Sequence, residues 1–127
     1  MLKSWIGMAL AVLALGGLQL AWAQKSTEIY IPIGKSPGLS ETRTIIGSVV
    51  SVSAPEQRFT VAEGQTNYTV QVDSETRIWL DQSALNTANR NGSFDALQPE
   101  RRVEVKYKES ERQAQVTAEW IKVEMRQ

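Results

Sequence analysis

The sequence predicts an all-β fold, a small antiparallel barrel of five to six strands. Three observations carry that prediction. Runs rich in Val, Ile, Thr and Tyr alternate apolar with polar residues at period two, the signature of half-buried strands. The runs recur at intervals of roughly 10–15 residues and are mostly joined by short Gly-, Pro- and Asp-containing turns, the spacing of barrels and sandwiches. The 127-residue chain contains no cysteine. Packing alone must therefore stabilise it, and a closed or well-covered sheet meets that demand better than a loop-rich stapled fold.

The elements follow in order. Residues 1–23 combine Lys3, an apolar core over 6–18 and the small-residue pattern Ala21-Trp22-Ala23. That order is a secretory signal peptide cut before Gln24. The apolar core is short of the roughly 20 residues that a permanent span needs. Residues 24–43 read as an extended arm, in which Ile29, Ile31 and Ile33 alternate with Tyr30 and Pro32. Period two suggests a short strand, and Pro32, lacking an N–H, confines it to a sheet edge.

The barrel domain spans residues 44–127. Its first strand, 44–52, is dense in Ile and Val, with Gly47 marking a bend or bulge. The second covers 58–62 after the turn at 54–57. The third covers 67–72, with Tyr68, Val70 and Val72 inward, and 76–80 continues it past a bend. Residues 81–93 are the one polar excursion, a short helix or structured loop. The fourth strand, 102–107, points Val103, Val105 and Tyr107 inward and Arg102, Glu104 and Lys106 outward. The last, 115–125, keeps no single alternation unless a bulge sits near Trp120. Five strands interrupted before the fourth make an OB-type barrel the better match than an immunoglobulin sandwich.

Composition excludes more than it assigns. Lys3 leaves with the leader, so 13 Lys and Arg face 14 Asp and Glu in the remainder. Such a balance offers no electrostatic pull toward nucleic acid or anionic lipid. Arg101-Arg102 is the only basic pair, and Glu100 and Glu104 flank it. Histidine is absent as well as cysteine. Thiol nucleophiles, Ser-His and Cys-His pairs, imidazole bases and nearly all tight zinc or copper sites are thereby removed. No Ser-x-x-Lys spacing supplies a lysine base for a serine nucleophile.

Two groups of residues are candidates for contact with a ligand or partner. Ile29, Tyr30 and Ile31 could clasp a partner by strand addition, or the arm could cover the end of its own barrel. Trp79 and Trp120 have the least clear parity among the aromatics. They could form an exposed platform for a sugar, or pack as core or barrel lid. Asp73, Glu75, Asp81 and Asp95 lie near strand ends, where convergence would make a calcium site or an acid–base pair. No calcium-loop motif is present, and Asp73 and Asp95 fit better as turn residues bonded to nearby amides.

Several segments resemble a family of secreted bacterial domains of unknown function with a small OB-like barrel. They are residues 47–52, 70–73 with 76–78, 93–99 with 103–105, and 118–123. The family often places glycine in the turn that here reads Pro99-Glu100-Arg101, and the arm lies outside the matched region. The resemblance implies a fold and a location beyond the inner membrane, with no catalytic residues. The expectation is an exported, periplasmic or secreted, non-enzymatic module without cofactor or metal. Its partner would be an envelope protein or a small envelope ligand such as an oligosaccharide, and no membrane anchor would remain after cleavage.

Overall fold

The computed structural model describes residues 27–127. The leader at 1–23 lies outside the described residues, as do the first three residues of the arm. Seven strands follow one another: β1 Thr44–Ser53, β2 Arg58–Glu63, β3 Thr66–Gln71, β4 Arg77–Asp81, β5 Arg90–Asn91, β6 Arg102–Tyr107 and β7 Gln115–Glu124. Two single-turn 3₁₀ segments, Ser83–Leu85 and Phe94–Ala96, interrupt the run between β4 and β6.

The ladder order β3-β2-β1-β6-β7 closes on itself because β3 also pairs with β7, giving a five-stranded barrel with β4 and β5 as two further strands. All ladders are antiparallel except those that β3 and β4 make with β7. β3 pairs with the first part of β7, at Gln115–Thr117, and β4 runs parallel to its second part, from Trp120 to Glu124. The expected continuation of the third strand past a bend is therefore present. This closed, OB-like arrangement is the predicted fold class, with parallel pairing confined to its closing edge.

Local chemistry explains the irregularities. The register of β6 on β7 shifts between Lys106 and Tyr107, which leaves Glu119 as the extra residue beside Trp120. A bulge there reverses the parity of everything after Ala118, as the sequence requires. The β1 irregularity falls at Val50 rather than Gly47. Gly47 serves a close approach instead, since a Cβ there would stand 2.0 Å from the Ala62 carbonyl oxygen. Glu100 holds the turn before β6 at φ +76°, a left-handed conformation adopted without glycine. The polar excursion contains no α-helix: Asn86, at φ +57°, ends a single turn, and Arg90–Asn91 pair with β4.

Inward residues make one core, including Ile45, Val61, Val70, Val103, Val105, Ile121 and Val123, all fully buried. Each such side chain contributes roughly 1.5–3 kcal/mol by leaving water.

The arm departs from expectation. Residues 29–33 form no strand; Thr27 and Glu28 are helical, and residues 29–43 run through turns and bends. Tyr30 N donates to Thr27 O, Ile31 N to Glu28 O, Lys35 N to Pro32 O and Arg43 N to Leu39 O. Gly34 and Gly38 adopt φ +83° and +75°, which an extended strand does not allow. Turn chemistry at Pro32, Gly34 and Pro37-Gly38 has overridden the isoleucine alternation.

Candidate functional site

Inward Ile78, Leu80, Ile121 and Val123 force their neighbours Trp79, Asp81, Trp120 and Lys122 onto the outer wall. Register then aligns these residues across strands. Trp79 lies opposite Lys122, and Lys122 opposite Glu104. One step along, Arg77 lies opposite Trp120, and Trp120 opposite Lys106. Two distinct surfaces result: a seam beneath the arm and an open recess beside it.

At the seam, Glu104, Lys122 and Asp81 are outward-facing yet buried, at 0%, 1% and 2% exposure. The arm supplies the partners that make this tolerable. Lys122 Nζ donates to Glu28 Oε1 at 2.9 Å and to Ser36 Oγ at 3.0 Å, and Ser36 itself donates to Glu28. Glu104 accepts from Gly34 N at 3.0 Å, from Ser40 Oγ at 2.6 Å and from Thr44 Oγ1 at 2.8 Å. Asp81 Oδ2 accepts from Ile33 N at 2.9 Å, while its Oδ1 accepts from Ser83 N and Oγ. No buried side-chain polar atom among the described residues lacks a partner.

Burial pushes the Asp81 carboxyl up. The hydrogen bonds from Ile33 and Ser83, with the charge of Lys122, outweigh that and hold its pKa below the ordinary carboxylate value.

Beside the seam opens a recess of about 370 Å³ lined by Glu75, Arg77, Trp79, Lys108, Glu119 and Trp120. The two indoles stand 5.6 Å apart between ring centroids, tilted by 32°. They expose only 4% and 5% of their surface, so they present edges rather than open faces. Lys122 Nζ lies 4.6 Å from the Trp120 ring centroid, a cation–π contact that ties the recess to the seam.

The rim is built by a local turn. Asp73 Oδ1 accepts from the backbone N–H of Glu75 and Thr76, and Thr76 Oγ1 donates to Ala118 O at 2.7 Å. Lys108 Nζ bridges Asp73 at 2.8 Å and Glu75 at 3.7 Å. The hydrogen bond from Lys108 is the largest influence holding the Asp73 carboxyl below its usual range.

The sequence candidates thus separate. Trp79 and Trp120 come together, buried as a pair and not as an exposed platform. Of the arm residues, Tyr30 is 66% exposed, whereas Ile29 and Ile31 are half-buried. The Ile29 carbonyl accepts from Asn89 Nδ2 at 2.9 Å, pinning the arm to the loop after β4. Asp73 is the turn residue expected. The Asp95 side chain makes no such amide bond, and its segment is held through backbone contacts.

Among the described residues no group of three or more His, Cys, Asp or Glu side chains could hold a metal ion. Sequence reasoning missed the burial of Glu104, which read as an outward position, and singled out neither Lys122 nor Arg77, Lys108 and Glu119 at the recess. Register against the two tryptophans was the only signal that could have found the last group.

Fold and surface together define a small OB-like barrel strapped by its own arm, with an aromatic-walled recess at the β4–β7 edge. No family model matches the chain, and neither does any curated protein. Among solved structures, the crystal structure of silver(I)-bound CusF is similar at a TM-score of 0.41 and 9% identity, over 63% of this chain and 93% of that one. The small OB-like barrel is present, and no family model supports the expected secreted family.

Proposed function

We propose that this chain is an exported, non-catalytic binding module that takes a small envelope ligand in the Trp79–Trp120 recess. One observation carries the proposal: the recess gathers two tryptophan edges and four charged side chains in a volume of about 370 Å³. Small-ligand sites have that character, apolar walls with a few placed polar groups. The alternative of capturing a partner by strand addition through the arm loses support. The backbone N–H groups of Ile33 and Gly34 are already committed to Asp81 and Glu104. Contact with an envelope protein through Tyr30 remains the second reading, favoured by its 66% exposure.

Absence of histidine and cysteine supports the non-catalytic part. In the recess, Lys108 is engaged by two carboxylates and is no free base. The leader pattern supports export.

The test uses the chain from Gln24 onward. Of the four tryptophans in the full sequence, Trp5 and Trp22 fall in the leader, so Trp79 and Trp120 alone report emission. Titration with a panel of glycans and peptidoglycan fragments should produce a saturable spectral shift. A flat response across the whole panel would reject the small-ligand reading in favour of protein contact.

A further inference from the structure

Resting on that assignment of the recess, we infer that its ligand is a small-molecule carboxylate read by the Arg77 guanidinium, with a compact ring or apolar group seated against the tryptophan edges. The charges around the recess are not equivalent. Lys108 is held by Asp73 and Glu75. Glu119 faces Lys106 at 3.8 Å. The Arg77 side chain makes no ion pair and no hydrogen bond among the described residues. It is the first residue of β4 and lies directly opposite Trp120 in the parallel ladder, so its side chain and the indole leave the same face of the sheet.

A guanidinium offers its donors in a rigid planar fork that matches a carboxylate bidentately. Beside it, Trp120 supplies the apolar wall, and the Lys122 cation behind that ring is already neutralised by Glu28. The charges about the recess balance, Arg77, Lys106 and Lys108 against Asp73, Glu75 and Glu119, so what sets the site apart is the one guanidinium whose donors are unengaged, beside space for little more than a monosaccharide or a short peptide end. Two sources carry this chemistry, an acidic sugar and the terminal carboxylate of a short peptide.

Both sources can be tested on the chain from Gln24 onward, reading tryptophan emission and the two indole N–H resonances. One arm compares glucuronate with its methyl ester. The other compares N-acetyl-Ala-Ala with its C-terminal amide. At least one acid should bind saturably, its neutral counterpart about tenfold or more weaker, as expected for loss of a charge-assisted pair. Arg77→Gln should weaken the acid by a similar factor, Arg77→Lys less, and added salt should weaken it too. Arg77 is exposed, so these variants should keep the parent fold, checked by circular dichroism.

Equal binding of acid and neutral forms, or an unchanged affinity in Arg77→Gln, would overturn the carboxylate assignment while leaving the recess a binding site. Failure of both acids while a neutral glycan binds would do the same. Failure of every probe at the indoles would remove the assignment and the recess proposal together.

Discussion

Substitution of Lys122 by Met tests the seam at its most constrained point. The side chain of Lys122 is 1% exposed and its ammonium is held by Glu28 and Ser36 of the arm. Methionine keeps most of the stem in place, so apolar burial changes little. What is lost is the charge partner of Glu28, whose side chain retains 13% exposure, together with a cation–π contact on Trp120. Removing one member of a fully buried pair costs about 3–5 kcal/mol. The residual exposure of Glu28 places the expected loss near the low end, about 3 kcal/mol. Against a total of roughly 5–15 kcal/mol for such a domain, that is a large fraction. It corresponds to a fall in Tm of about 12–24 °C.

Urea denaturation of the parent, Lys122→Met, Glu28→Gln and the double variant would measure the loss and the coupling. The double variant should recover about 1 kcal/mol or more relative to additivity, because neither charge is then stranded. A loss under about 1 kcal/mol in Lys122→Met, or strict additivity, would show that the arm does not hold the buried ammonium.

Three further outcomes follow from the same geometry. Deleting residues 24–40 should leave no independently folded barrel, because Glu104, Lys122 and Asp81 would lose their arm partners; circular dichroism and thermal melting would show it. Asp81→Asn should destabilise the protein at pH 7. Because the folded pKa of Asp81 lies below its ordinary value, its contribution is present above about pH 4 and is lost as pH falls through the folded pKa, so the two stability curves should converge in acid. Glu100→Gly should raise stability by about 0.5–1 kcal/mol, since relief of a left-handed conformation worth about 1–2 kcal/mol exceeds the added chain entropy of glycine; a lower Tm would contradict that balance.

How much the sequence disclosed depended on the range of the determining interaction. Val103, Val105 and Tyr107 were legible because strand parity is local, and the bulge beside Trp120 followed from a broken alternation. The arm was not legible, since isoleucines at period two competed with Pro32, Gly34 and Gly38, and the turns prevailed. The burial of Glu104 and Lys122 escaped the sequence for a different reason. Parity places them outward correctly, but burial on the outer wall depends on a segment 64–94 residues away in sequence, as the Glu104–Ser40 and Lys122–Glu28 contacts show. Trp79 and Trp120 could be named but not paired, because their adjacency follows from the parallel ladder of β4 on β7, which no local pattern announces. Arg77 became distinctive only once its neighbours were seen to be mutually engaged.

Mapping backbone and indole chemical shifts on addition of a binding glycan or carboxylate is the most direct test of a locked arm beside an open recess. Perturbations should concentrate at Glu75, Arg77, Trp79, Lys108, Glu119 and Trp120, with the amides of Ile33 and Gly34 remaining protected from exchange. Perturbations centred instead on residues 27–40, with loss of that protection, would make the arm the contact surface and contradict the account.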